Sequence, residues 1–322
     1  MAVVHQKEHD ALFATLKSGE HRTIWVSCCS KESAAWLLSI PWTHKGTQGS
    51  ARANLRDENF RVSAQARLRH RISIRPAGMV PEAFKCELCG KQLDEYGDHP
   101  WSCQFMGGFR TIDHSGLQSA MLAVTSQIQN VQSLHEPNIA ELGCPIKLGV
   151  FAPSRGDPAG YRADLVVNTD RNGLRNTASM LIVDYTITSP LTKIKENEGG
   201  LLVRTNAGMV TSGGGRKQGA AADEAVKRKE KKYLERFEMS KEQFYPFAME
   251  TTGFMHGRAL DFVKQVAGLQ SEYMRRHAPV GLAHQQSSIG ACYRRIIERI
   301  AVAQQIGYSR LLLNYQQKCV PR

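Results

Sequence analysis

The chain has 322 residues, 42% of them hydrophobic and 22% charged, with a formal net charge of +12 and a pI of about 9.4. This is a globular composition, long enough for one large domain or two ordinary ones, and basic enough to favour a polyanionic partner such as nucleic acid over a merely soluble surface. It excludes a membrane span, because no run of about 18 apolar residues occurs, and a secretory signal, because the first 22 residues are charged throughout. Three of the eight cysteines cluster with a histidine and the rest are scattered, which reads as an intracellular metal site plus ordinary thiols rather than a disulfide framework.

In chain order, residues 1–80 are predicted to be mainly helical. Ser33–Leu38 reads as a helix that stops before Pro41, and Leu55–Leu68 sets Leu55, Phe60, Val62, Ala66 and Leu68 along one side of another. Residues 81–110 hold the cysteine–histidine cluster. His114–Gln132 is rich in helix formers. The period then changes: Cys144–Phe151, Arg162–Val167 and Met180–Thr188 read as strands, with a polar turn at Asp170–Asn176. Residues 189–218, with glycine runs at 199–200 and 213–215, read as a mobile loop. Ala220–Phe237 reads as a charged helix, Phe244–Glu250 as a strand and Gly257–Arg276 as an amphipathic helix. Ser287–Tyr315 reads as one or two helices with a break near Gly307. The predicted organisation is a helical region (1–80), a zinc knuckle (81–110), a core (111–276) and C-terminal helices (277–322). The class is α/β (α+β), a mixed sheet flanked by helices.

Cys86-x2-Cys89 followed by His99-x3-Cys103 brings four ligands into one short polar window. Thiolates and imidazole suit tetrahedral Zn2+, and four protein ligands leave no open position, so the expected metal is structural.

Asp164 heads one predicted strand and Asp184 sits late in the next, inside Leu181-Ile-Val-Asp-Tyr-Thr-Ile-Thr188. In adjacent strands they would converge at one end of the sheet. A buried acid is costly unless a metal or hydrogen bonds compensate it. Hydrolysis of a phosphodiester needs such carboxylates to hold Mg2+ or Mn2+ and a cation to offset developing charge. The position two after Asp184 is Thr186, so a lysine must come from elsewhere. The helix at 220–237 offers Lys227, Arg228, Lys229, Lys231 and Lys232, with Tyr233 adjoining. The plainer reading is a strand-edge acid at Asp164 and a solvated charged helix. Glu136 is a further candidate acid.

Taken in order, these motifs resemble the restriction-like, PD-(D/E)XK endonuclease region of site-specific non-LTR retrotransposons and related reverse-transcriptase-bearing elements. The resemblance runs over about residues 30–315. It is carried by the Cys/His cluster, Gly107-Gly108-x-Arg110, His114, Glu136-Pro137, Arg162-Ala163-Asp164, Val183-Asp184-Tyr185-Thr186, Lys232-Tyr233 and Pro246–Gly253. It implies a CCHC zinc knuckle beside a nuclease core whose catalytic lysine has moved to the following helix. Asp164 and Asp184 would hold the catalytic Mg2+ or Mn2+, Lys229 or Lys232 would be the lysine with Tyr233 alongside, and Glu136 and Glu250 would support them. Arg110, His114, Arg162, Lys227, Arg228 and Lys231 would contact nucleic acid. The chain departs from the family at Ala163, where proline is frequent, and at Asp113-His114-Ser115, where Arg-His-Asn is common.

The implied activity is nicking of target DNA to leave a 3′-hydroxyl that primes reverse transcription. The implied partners are DNA, element RNA and the element's reverse transcriptase, and the implied location is the nucleus. Two other readings compete with it. One is a zinc-containing nucleic-acid-binding protein that no longer cuts, and the other is a protein-interaction domain with the terminal helices as its interface.

Overall fold

The computed structural model describes residues 19–36, 57–69, 72, 85–86, 88–91, 94, 96–103, 107–128, 131–147, 161–169, 179–191, 193–196, 202–205, 218–277 and 288–319. The elements are α1 (Gly19–Cys28), α2 (Lys31–Ala34), α3 (Asp57–Arg67), α4 (His99–Ser102), α5 (Gly107–Thr125), β1 (Gln132–His135), β2 (Leu165–Asn168) and β3 (Met180–Thr188). They continue with β4 (Lys193–Glu196), β5 (Leu202–Thr205), α6 (Ala220–Leu234), β6 (Phe244–Glu250), α7 (Gly257–His277) and α8 (Ile289–Cys319). Among the described residues no helix is long and apolar enough to cross a membrane.

The main sheet has the order β1-β2-β3-β6. β1/β2 and β2/β3 are antiparallel and β3/β6 is parallel. Antiparallel neighbours need only short connections, but the parallel β3–β6 step needs a crossover, and α6 lies within it. Side chains alternate across a strand, so odd and even residues face different layers. Leu165, Val167, Val183, Tyr185, Tyr245, Phe247 and Met249 point into the larger core with α5, α7 and α8. Val166, Met180, Ile182 and Phe244 point the other way, toward Tyr233 and Phe237, while Ala248 meets Ala222, Ala225 and Val226 of α6. Each large side chain buried in this way stabilises the fold by about 1.5–3 kcal/mol before entropy is charged.

The helical N-terminal segment and α8 close on the turn after β6 through polar contacts. The Arg67 Nη1 donates to the Ser33 carbonyl at 2.6 Å, the Ser33 hydroxyl donates to the Thr252 carbonyl at 2.5 Å, and the Gln304 amide donates to the Thr251 carbonyl at 2.6 Å. A further apolar cluster seats the cysteine segment on α3 and α8, with Trp101 stacked on Tyr308 at 5.7 Å.

The predicted element order from residue 114 is observed apart from an added β4–β5 hairpin before α6, but its first strand is built from other residues. β1 comes from Gln132–His135, a half-exposed edge strand whose polar sequence carries no strand signature. Of the expected strand Cys144–Phe151, residues 148–151 lie outside the described residues. The remainder pairs with the segment after α6 through the Ile146–Phe237 bridge and the Lys147 amide to the Arg236 carbonyl at 2.8 Å. The helix expected from His114 begins at Gly107. Within the expected loop 189–218, β4 and β5 form an antiparallel hairpin, and residues 192, 197–201 and 206–217 lie outside the described ones. Helix α8 runs without a break through the buried Gly307. The expected turn at 170–176 is outside the described residues.

Two glycines of the cysteine segment have left-handed backbones but different surroundings. At Gly97 (φ 79°) a Cβ would sit 2.6 Å from Leu312 Cδ2, whereas at Gly90 (φ 69°) it would meet nothing within 4 Å. Gly90→Ala is expected to cost only backbone strain, about 1–2 kcal/mol. Gly97→Ala is expected to cost that plus about 1–3 kcal/mol of overpacking. Denaturant midpoints of the two variants check the order.

Candidate functional site

The four sequence-predicted zinc ligands come together. The Cys86, Cys89 and Cys103 sulfurs and a His99 ring nitrogen all lie within 4.8 Å of one another. The Cys86 and Cys103 sulfurs are 3.9 Å apart, and Cys89 Sγ is 3.3 Å from His99 Nε2. Bonds of about 2.0–2.3 Å to one tetrahedral ion would set ligand atoms about 3.3–3.8 Å apart, so the cluster fits a metal such as zinc.

Local chemistry explains the convergence. The Gly90 amide closes a turn onto the Cys86 carbonyl at 2.7 Å. The Asp94 carboxylate accepts from the amides of Tyr96, Asp98 and His99 at 2.9, 2.8 and 2.5 Å. One turn of α4, closed by the Cys103 amide on the His99 carbonyl at 2.8 Å, presents His99 and Cys103 together. Arg69 holds Asp98 through a two-pronged pair at 2.9 and 2.8 Å and stacks over Tyr96. Burial lowers the His99 pKa, which favours the neutral, ligating imidazole. Burial pushes the Cys86 thiol up, but hydrogen bonds from Tyr315 and the Cys89 and Leu88 amides outweigh it and leave it below 9.0.

The acids also converge. Leu165 pairs with Val183 in the β2/β3 ladder, so one step further Asp164 stands opposite Asp184. On the other side His135 pairs with Leu165, so Glu136 stands opposite Asp164, with its amide on the Asp164 carbonyl at 3.3 Å. Glu136 itself is exposed. Like charges opposite one another are unfavourable, and two basic side chains answer them. His114 Nε2 is 3.1 Å from Asp164 Oδ2, which also accepts the Tyr185 amide at 2.5 Å. Lys229 Nζ is 2.5 Å from Asp184 Oδ2. That ion pair reaches a buried carboxylate, which also interacts with Asp164 and the Tyr233 hydroxyl.

Period and stripe explain who reaches whom. Asp184 is an even residue of β3 and faces α6. Lys229 lies on the stripe of α6 that also carries Ala222, Ala225, Val226 and Tyr233, at intervals of three, four and seven. The same spacing places His114 and Gln118 with Leu117 and Met121 on the sheet side of α5, and the Gln118 amide donates to the Asp164 carbonyl at 2.8 Å. The sequence held both stripes; read as periodic faces, they single out Lys229 over Lys232 and send His114 to Asp164 rather than outward to nucleic acid.

The remaining candidates are spread around this centre. Lys232 donates to the Tyr233 hydroxyl at 3.0 Å, and that hydroxyl donates to the Arg162 carbonyl at 3.3 Å. Lys227, Lys231 and the Arg162 side chain are exposed, and Arg228 is half-buried with its Nε on the Glu224 carbonyl. Arg110 lies on α5, but its side chain is outside the described residues. Glu250 is not at the acid pair. Its β3 partner is Thr188, four places beyond Asp184, and Glu250 Oε1 accepts the Ala221 amide at the head of α6 at 3.2 Å. A small cleft of about 140 Å³ between Ile128, Thr169 and Tyr273 lies at the opposite end of β2 from the acids.

Burial pushes Asp184 from 3.8 up to about 6, opposed by Lys229 and reinforced by Asp164. Burial would raise Asp164 too, but the His114 and Tyr185 contacts hold it below its ordinary value. The hydrogen bond to Asp164 raises the His114 pKa against burial. Burial lowers the Lys232 pKa, and burial and the two aspartates raise that of Tyr233.

No protein-family model, curated protein or solved structure matches this chain.

Two measurements follow from these geometries. Metal analysis is expected to find one Zn2+ per chain, lost in Cys103→Ser together with a lowered thermal midpoint. A carboxyl whose folded pKa is raised contributes stability at low pH, and that contribution is lost as pH rises from about 4 through about 6. Asp184→Asn, without Mg2+ present, is therefore expected to raise the melting temperature relative to wild type at pH 8 and not at pH 4. An equal change at both values would contradict the raised pKa.

Proposed function

We propose that this protein is a Mg2+- or Mn2+-dependent DNA endonuclease with a PD-(D/E)XK-type core, of the kind borne by reverse-transcriptase-bearing elements. The single observation that carries the reading is the apposition of Asp164 and Asp184 across β2 and β3, with the Lys229 ammonium 2.5 Å from Asp184. The element order and the α6 crossover between parallel β3 and β6 support it at the level of layout.

The donor set suits a hard divalent cation, because carboxylate oxygens are its preferred ligands and Asp164 stands opposite Asp184. Asp164 and Asp184 would hold Mg2+ or Mn2+, which would supply positive charge for polarising a phosphoryl oxygen and activating a water. His114 and the Tyr185 amide fix the Asp164 carboxylate by holding Oδ2. Lys229 offsets negative charge as it builds on the phosphate. Lys232, held by Tyr233, stands beside this chemistry rather than on Asp184. DNA as substrate goes with a nuclear site of action, and the Cys/His cluster would serve as a structural zinc knuckle.

The alternative is a zinc-containing nucleic-acid-binding protein that no longer cuts. One observation favours it: Lys229 already neutralises Asp184, at the position where a cation would stand.

Supercoiled plasmid incubated with Mg2+ or Mn2+ separates the two. The nuclease reading expects metal-dependent nicking that Asp184→Ala lacks. Lys229→Ala is expected to lose about 10²–10³ in rate, the usual loss for one group that stabilises developing charge, and Lys232→Ala to lose less. Salt-sensitive DNA binding without nicking would transfer the assignment to the binding module.

A further inference from the structure

Four cations lie at the tail of α6 and on the segments packed against it, and none of them has a carboxylate partner among the described residues. Lys232 Nζ lies 5.0 Å from the centre of the Tyr161 ring and 4.5 Å from that of Tyr233. The Arg236 guanidinium carbon lies 5.1 Å from the same Tyr161 ring centre. Arg162, the next residue after Tyr161, is exposed, and so is Lys147, whose Nζ donates to the Leu234 carbonyl at 2.6 Å. Among the described residues none of the four is in an ion pair, although Lys229, one turn before Lys232, is.

Lysine and arginine side chains at a surface usually sample many rotamers, and ordering them costs entropy when a ligand arrives. Here the ordering is already done. The two tyrosine rings hold the Lys232 ammonium, and Tyr161 also holds Arg236. Tyr161 is itself fixed edge-on by Tyr233 at 6.1 Å and Phe237 at 5.7 Å. With a cation over the ring in each contact, Tyr161 acts as a mount for positive charge rather than as a stacking surface for a base. The mount is tied to the acids: the Tyr233 hydroxyl donates to the carbonyl of Arg162, two residues before Asp164.

We infer that Tyr161, Lys232 and Arg236 form an anion subsite that holds the phosphodiester backbone of duplex DNA next to the phosphate at Asp164 and Asp184. The choice of DNA as the polyanion rests on the proposed function; the subsite itself rests on the unpaired, pre-ordered cations. Arg236 supplies a planar fork matched to phosphate oxygens and Lys232 a point charge, and neither reads base sequence. Their role is to set the register of the strand against the acids.

The test is the salt dependence of binding to a short DNA duplex, read by fluorescence anisotropy between 50 and 200 mM KCl without divalent cations. Each phosphate contact contributes about 0.9 to the slope of log affinity against log salt. Arg236→Ala and Lys232→Ala are each expected to lower that slope by about 0.9. Over this range wild type then loses about three- to fourfold more affinity than either variant. Arg236→Lys should keep the slope. Lys264→Ala removes a charge that is paired with Asp261 on α7 and should leave the slope unchanged. Unchanged melting temperatures and zinc content establish that the variants are folded, and Arg236→Gln replaces Arg236→Ala if it is not. A wild-type slope in both alanine variants overturns the subsite, whatever the nicking assay shows. A reduced slope in a protein that never nicks keeps the subsite and removes the nuclease reading. A wild-type protein that does not bind DNA overturns both.

Discussion

Two aspartates facing one another across neighbouring strands cannot both stay charged in a half-buried site unless positive charge is brought to them. Much of the arrangement around β2 and β3 answers that constraint. Helix α5 brings His114 to Asp164 from one side of the sheet, and α6 brings Lys229 to Asp184 from the other. The two helices cover opposite faces; Asp184 faces α6 by alternation, while Asp164, just before the first residue of β2, is reached by His114 at the end of the sheet. The alternation of β3 thus decides that Asp184 must be served by α6 and not by α5.

For Lys229 to arrive in register, α6 has to be held along its length. At its head, Glu250 accepts the Ala221 amide and a hydrogen bond from Ser27, placing a carboxylate at the positive end of the helix. At its tail, Lys147 and the Tyr233 hydroxyl bind it to the segments that precede β2. Alanines at 221, 222 and 225 let its backbone approach the sheet. Lys229 is the one charged residue on that small-residue stripe, so its ammonium ends at the acid rather than in water.

β3 and β6 were legible because they are apolar, β-branched or aromatic runs on a sheet covered on both faces. β1 was not, because an edge strand needs little apolar surface and Gln-Ser-Leu-His supplies little. The β4–β5 hairpin was hidden by the glycine-rich composition around it. The Cys/His cluster was legible from spacing alone, since its four residues lie within a short segment. The acids were legible as residues, but their direct apposition depends on a one-residue register that the strand signal does not contain. The choice between Lys229 and Lys232 was present as a periodic stripe. The Tyr161 mount was not, because it joins residues some 70 apart in sequence through ring contacts.

The cysteine segment owes its cover to residues made long after it. Trp101 stacks on Tyr308, His99 lies against Tyr315, and Leu312 closes over Gly97. At synthesis rates of about 5–20 residues per second, the roughly 200 residues between them take about 10–40 s to emerge. During that interval the three thiols have no lid and are open to metal, oxidant and one another. An ion captured in that interval would protect them chemically and preset the surface onto which α8 packs.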